Sequence, residues 1–385
     1  MALSQGQAPA QADDIAMRGG GYYSLATIGA KHVIDAATPL VLAAIAEIAL
    51  PKGRPFTLGD FGCADGGTSI DMVRAVLEAV RARDAELPIA VVYSDQPRND
   101  FNALFQILNG GTPIESYLDD FEGLHVSAAA TSFYRRVLPP GSLDLGFSAT
   151  AMHWLSAKPC EITGHVQAVG AAGEELAAFA AQGCRDWETI LCHRARELAP
   201  GGALVFANFC RDEAGRYLGN TEGVHMFDRF NEIWRDFVAE GRIGEAEYRA
   251  MTLPQYYKDV AEFSAPFEDP ESPVHKAGLR LVGIETRVTP CPFAADFREH
   301  GDAAAFAKAY IPTLRSWTES TFYGGLSAGR PAEQRQALID AYYARYESQV
   351  REAPEGHGMD YVHAFMTARK VTAEPDSAAS TGRES

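Results

Sequence analysis

The chain is expected to fold as an α/β protein: a mostly parallel sheet wrapped by helices, with a helical cap over one end of the strands. Three observations carry that expectation. Strand-length apolar runs alternate with amphipathic helical stretches from residue 55 to about 210. A glycine-rich turn joins the first such strand to the first such helix. Two later stretches, about 212–275 and 300–350, are helical in pattern, rich in aromatics and too long to serve as simple crossovers.

Taken in order, "PFTLGDFGC" reads as a strand and "TSIDMVRAVLEAVRAR" as an amphipathic helix. "PIAVVYSD" is a second strand, and "NDFNALFQIL" a helix opened by an Asn/Asp cap. This βαβα order implies parallel strands joined by right-handed crossovers. "GSLDLGFSA" supplies another strand, "WETILCHRARELAPGG" a helix stopped by Pro-Gly-Gly, and "ALVFANF" the strand that follows. "GLRLVGIETRV" and "YVHAFMTARK" suit the closing strands, placed within 276–299 and 351–370. Residues 1–16 and 371–385 have few large apolar groups and read as disordered tails, leaving 17–211 as the ligand-binding domain with an N-terminal lid segment.

Composition narrows the function. A chain of 385 residues with 46% hydrophobic content can bury a large core. Its 51 acidic and 34 basic side chains give a formal net charge of -17, with no basic run able to track a phosphate backbone, which argues against nucleic acid as a partner. The longest apolar stretch, "TPLVLAAIAEIAL", is short of the roughly 20 residues that a bilayer requires and carries Glu47, so no membrane span is expected. The start "MALSQGQAPAQADD" lacks a secretory pattern, and a cytoplasmic location is the expectation. Six cysteines without a CxxC pair read as buried thiols, and no metal set is expected from Cys192 beside His193.

The turn "DFGCADGGTS" can cradle a nucleotide-like ligand, because Gly62 and Gly66 let the backbone approach it closely. The spacing is not GxGxxG and the Lys-Ser/Thr of a P-loop is missing, which argues against a dinucleotide-dependent dehydrogenase or a nucleoside triphosphatase. Asp60 precedes the turn, and Asp95 ends the second strand, where a carboxylate can take both hydroxyls of a ribose. "MHWLS" sets His153 and Trp154 just after a strand; a tryptophan there either packs in the core or donates its indole N–H to a ligand.

Several stretches together resemble the SABATH methyltransferases, which move a methyl group from S-adenosylmethionine to the carboxylates of salicylate, benzoate and similar acids, or to xanthine nitrogens. The matching stretches are "MRGGGYYSLAT", "DFGCADGGTS", "SDQPRNDFNALF", "TSFYRRVLPPGSLDLGFSATAMHWLS", "RARELAPGGALVF" and "VAEGRIGEAEYRAMTLPQYYKD", in order over residues 17 to about 260. The resemblance implies a Rossmann-like class I methyltransferase sheet with an antiparallel last strand, S-adenosylmethionine as donor and S-adenosylhomocysteine as product. It implies that Asp60, Gly62 and Gly66 line the methionine and adenosine pocket, with Thr68 and Ser148 beside them and Asp95 and Gln96 at the ribose. Ser132 and Phe133 would flank the adenine, and Arg18, Tyr23 and Thr27 would close the site from the N-terminal segment. Trp154 would donate to the substrate carboxylate, and His153, Tyr23, Phe227 and Tyr256 would line the same pocket.

One departure stands out. Where plant carboxyl methyltransferases usually carry a glutamine as second carboxylate contact, this chain has Ala30. A methylated nitrogen or phenol, with His153 as base, is therefore a second expectation, and a non-catalytic donor-binding protein a third. The acceptor is expected to be a small acid, and a homodimer is expected by resemblance alone.

Overall fold

In the computed structural model, Ser24 and residues 27–371 are described. The 1–16 tail, nearly all of the 371–385 tail, and the lid residues Arg18 and Tyr23 lie outside the described residues.

The sheet has seven strands: β1 (Phe56–Phe61), β2 (Ile89–Asp95), β3 (Leu124–Ala130), β4 (Leu143–Ala149), β5 (Leu198–Phe209), β6 (Leu279–Thr289) and β7 (Tyr361–Lys370). Their spatial order is β3-β2-β1-β4-β5-β7-β6. β1 to β5 are mutually parallel, and β7 runs antiparallel to both neighbours. β1 and β4 are buried along their whole length, as central strands covered on both faces must be. β3 is absent from the sequence reading for a physical reason: "LHVSAAA" is half exposed at the sheet edge and made mostly of small residues with weak strand preference.

Helix α1 (Ile28–Glu47) packs on β4, β5 and β7 through Val33, Ala37, Val41 and Ala44. It is long and apolar enough to cross a bilayer, yet its apolar stripe is spent on the sheet. α2 (Ile70–Arg83) and α3 (Phe101–Leu108) follow β1 and β2; the Asp100 carboxylate caps α3 by accepting from the Ala103 N–H at 3.2 Å. α4 (Gly173–Glu197) starts well before the Trp187 expected from the sequence. α5 (Met226–Ala239), α6 (Glu245–Ala250), α7 (Val260–Glu268) and α8 (Pro273–Lys276) come next. α9 (Pro292–His300), α10 (Ala303–Gly325) and α11 (Ala332–Glu352) precede β7.

α5, α6, α10 and α11 form one helical body whose core is aromatic. Trp234 stacks on Tyr342 at 4.2 Å, and Phe230 meets Trp317, Phe322 and Tyr346. Truncating such a buried ring costs about 3–5 kcal/mol. The stretch 212–275, expected to be cap throughout, divides: α7 and α8 pack instead on α4 and β6.

Chain order reverses at β1, with β2 and β3 on one side and β4 on the other. The crevice beyond the carboxyl ends of β1 and β4 is therefore where such a sheet receives a ligand.

Candidate active site

Beyond β1 the chain turns through Gly62 (φ 82°), Ala64 (φ 50°) and Gly66 (φ 72°). A Cβ on Gly62 would stand 2.5 Å from Ala151 Cβ, and one on Gly66 would collide with Leu104 Cδ1. Glycine is thus required both by the backbone and by the close approach of the next segment. Among the described residues, Ala64 and Thr150 (φ 55°) are the non-glycine residues in the left-handed region. They follow β1 and β4, one on each side of the crevice, and such strain of about 1–3 kcal/mol collects at functional sites.

Two carboxylates face this turn from below. Asp60 is buried, accepts from Ser69 Oγ at 2.7 Å, and is pushed up to about 7 by burial, with the neighbouring Asp95 adding to the rise. Asp95 accepts the Ala64 and Gln96 N–H groups, each at 2.7 Å, and burial raises it as well. Two desolvated carboxylates, with no cationic side chain bonded to them among the described residues, favour a cation placed in the crevice. Gln96 adds a buried Oε1 without a hydrogen-bond partner.

The wall carrying Ser132 and Phe133 is held from behind. Arg194 donates to the Phe133 carbonyl at 3.1 Å and the Arg135 carbonyl at 2.8 Å, and pairs with Glu197 at 2.7 Å. Glu197 accepts the Val137 N–H at 2.6 Å, both side chains are fully buried, and the guanidinium lies 4.3 Å over the Phe61 ring. Phe133 in turn borders Gly62. Ser24 ties the N-terminal segment to the turn by donating its N–H to Asp65 at 3.0 Å, with its hydroxyl donating to the same carboxylate.

Beside the crevice lies a small cavity lined by Thr27 and Ala30 at the start of α1, by Thr150, His153 and Trp154 after β4, and by Phe209 and Leu218. Thr313 and Trp317 of α10 close it from above, and Met359 and Tyr361 from the start of β7. Trp154 is 7% exposed, and its indole N–H reaches no protein acceptor among the described residues. Its carbonyl accepts the Tyr134 hydroxyl, and its backbone bridges to Gln255, so the ring is placed by its main chain. His153 lies edge-on to Phe209 at 4.7 Å, and its buried Nδ1 has no partner. Burial first, then His363 and Lys258, holds it well below the usual histidine range, so it is neutral at pH 7.

The structure brings together Thr27, His153 and Trp154 at the cavity, and Asp60, Gly62, Gly66, Thr68, Asp95, Gln96, Ser132 and Phe133 around the crevice. Three expectations are corrected. Ser148 is fully buried and its Oγ donates to the Phe61 carbonyl at 2.6 Å, stitching β4 to β1 instead of facing a ligand. Tyr256 points away from the cavity, packing against Leu155, Ile162 and Phe179 and donating to Glu262 at 2.7 Å; Tyr257 is the one that turns toward His153. Phe227 stands a layer behind the lining, 6.2 Å from the Trp317 ring. Sequence reading missed Thr150, Phe209, Thr313, Trp317 and Tyr361; the i, i+4 spacing of Thr313 and Trp317 is the same signal that any core-facing helix gives.

A family model described as SAM dependent carboxyl methyltransferase matches residues 15–365. Indole-3-acetate O-methyltransferase 1 of Arabidopsis thaliana is 27% identical over 287 residues, covering 68% of this chain and 71% of that protein. Indole-3-acetate O-methyltransferase 1 of Oryza sativa subsp. japonica is 31% identical over 234 residues, 54% of this chain and 58% of that protein. Loganic acid O-methyltransferase of Catharanthus roseus is 27% identical over 267 residues, 64% and 69% respectively. Several of the curated relatives are thus matched over less than two thirds of their length. A solved structure of loganic acid methyltransferase with SAH superposes with a TM-score of 0.69 at 20% identity, over 93% of this chain and 99% of that one, and shows the same fold.

Proposed function

We propose that this chain, which belongs to the S-adenosylmethionine-dependent carboxyl methyltransferases of the SABATH family, esterifies the carboxylate of a small, largely apolar acid. The observation that carries this reading is Trp154: an indole N–H with no protein acceptor among the described residues, set in a cavity lined by apolar and neutral polar side chains beside the crevice. When bound, S-adenosylmethionine would supply an electrophilic methyl carbon to a carboxylate oxygen, the O–C bond forming as the C–S bond breaks and S-adenosylhomocysteine leaves.

The residues of the crevice fit that donor. Gly62 and Gly66 would admit it against the main chain, Asp95 and Gln96 would hold its ribose, and Phe133 would pack against its adenine. Asp60 and Asp95 favour its positive charge. The acid needs no base, since carboxylic acids with pKa near 4 are ionised at pH 7. Trp154 orients it, and its neighbours exclude water. Orientation of this kind is worth up to about 7–11 kcal/mol. His153, held neutral and weakly basic, supports this reading over one in which it removes a proton from a phenol or ring nitrogen.

The aromatic lining supports a flat acid, and indole-3-acetate, the acid named for two of the relatives, is the first to try. The test is radiolabelled methyl transfer by the purified protein to a panel of acids, phenols and xanthines, with Trp154→Ala alongside. Label released by mild alkali and lost in Trp154→Ala is the expected result. Alkali-stable label on a phenol or nitrogen would overturn the reading.

A further inference from the structure

An ionised carboxylate is costly to bury unless opposite charge lies within reach, and the indole N–H of Trp154 carries none. The wall behind the cavity holds such a charge. Lys258 is 2% exposed, and among the described residues its Nζ makes neither a hydrogen bond nor an ion pair.

We propose that the Lys258 ammonium, buried in the wall behind His153 and Trp154, is the countercharge of the acceptor carboxylate, holding the acid by its field without touching it; this rests on the carboxylate reading above.

The main chain ties Lys258 to two walls of the cavity. Gln255 pairs antiparallel with Trp154, and Lys258 pairs with Cys210, the residue after Phe209. The Tyr256 N–H donates to the His153 carbonyl at 3.0 Å, and the Lys258 carbonyl accepts the Arg211 N–H at 2.9 Å. Side chains of an extended segment alternate, so Tyr257 turns toward His153 while Tyr256 and Lys258 turn toward α4 and α7. The Lys258 Nζ lies 5.9 Å from the Tyr256 ring and 5.6 Å from the Phe263 ring, whose faces offset part of the cost of burying it. Gly183 of α4 leaves it room: a Cβ there would stand 3.4 Å from Nζ.

The other titratable groups that act on this ammonium are Cys184 and Asp186 from α4 and Glu262 from α7. Both carboxylates are engaged by neutral donors. Asp186 accepts the Ser156 N–H at 2.8 Å and its hydroxyl at 2.6 Å, and Glu262 accepts the Tyr256 hydroxyl at 2.7 Å and the Asp259 N–H at 2.9 Å. The field of Lys258 reaches the cavity, because after burial and His363 it is one of the causes holding His153 below the usual histidine range. What disfavours an imidazolium in that wall favours a carboxylate beside it. Burial brings the Lys258 ammonium down to about 8, so it remains charged at pH 7. The field acts on the acid and not on the neutral ester, so methylation itself removes the hold on the product.

The experiment uses the full chain, saturating S-adenosylmethionine, and whichever of indole-3-acetate, benzoate and salicylate the wild type esterifies fastest. Lys258→Met removes the charge and keeps an unbranched apolar stem. The expected result at pH 7 is an acid KM raised about five- to twentyfold, the size of one buried charge acting at longer range than a direct ion pair. Inhibition by the primary amide of the same acid, which is neutral, should stay within twofold. In the wild type, kcat/KM for the acid should fall as pH rises through about 8, where Lys258 loses its proton, and Lys258→Met should lack that fall. An unchanged acid KM in Lys258→Met, or an equal loss for acid and amide, would overturn the proposal. Should that variant fail to fold, the wild type decides alone: an acid KM that is flat from pH 7 to about 9 overturns it equally. No ester from any acid, with label on phenols or nitrogens instead, would overturn the carboxylate reading and this proposal with it.

Discussion

The donor crevice and the acceptor cavity are built differently although they touch. The crevice is a main-chain object: turn residues 62–67, the end of β2 and the segment after β3 supply amides, carbonyls and two carboxylates from short continuous stretches. The cavity is a side-chain object, assembled from α1, the segment after β4, β5, α10 and β7, over residues 27 to 361. A ligand read by backbone constrains a few residues tightly, and one read by side chains constrains many residues loosely.

The largest effect is expected behind the crevice. Glu197→Ala leaves Arg194 buried without its partner and should cost about 3–5 kcal/mol in urea denaturation, with donor affinity falling in parallel because the Phe133 wall loses its tether. Gly66→Val, at φ 72° and against Leu104, should cost about 1–3 kcal/mol in strain and weaken donor binding by calorimetry without changing the acid preference. If Gly66→Val altered acid choice instead, the division between the two regions would fail.

Trp154→Phe is the converse. It should raise the acid KM about tenfold or more while leaving S-adenosylhomocysteine affinity within twofold.

A smaller effect is a pH dependence from Asp60. Burial and Asp95 raise its carboxyl to about 7, above its unfolded value, so the folded state holds this proton more tightly. The stability contributed is complete below pH about 4 and is lost as pH rises to about 7. Asp60→Asn should remove that slope from urea midpoints measured between pH 5 and 8. Because a bound cation favours the ionised form, the wild type should bind S-adenosylmethionine more tightly at pH 8 than at pH 6, and Asp60→Asn should not. The smallest effect belongs to neither region: Val282, 63% exposed on the edge strand β6, should change stability by under about 0.5 kcal/mol when replaced by Ser.

The same contrast decided what could be read without coordinates. Asp60, Gly62, Gly66 and Asp95 were legible because a strand–turn–helix ligand site demands glycine and carboxylate at fixed offsets, and six of the seven strands announced themselves as apolar runs. His153 and Trp154 were legible from their neighbours in the chain. Tyr361 and Trp317 were not, because an aromatic residue at a strand start or on a helix face has the same local pattern whether it meets a ligand or the core. Tyr256 and Tyr257 show the limit most sharply. One residue of register in an extended segment reverses which ring turns toward His153, and nothing local distinguishes them.

β7 carries Tyr361 and His363 and slots between β5 and β6, pairing with residues emitted some 150 positions earlier in β5. During synthesis, at about 5–20 residues per second, the donor crevice has all its strands once β4 and β5 have left the ribosome, whereas the acceptor cavity lacks its floor until β7 arrives. The order of the strands along the chain thus makes the proposed acceptor cavity wait for the last of the described strands.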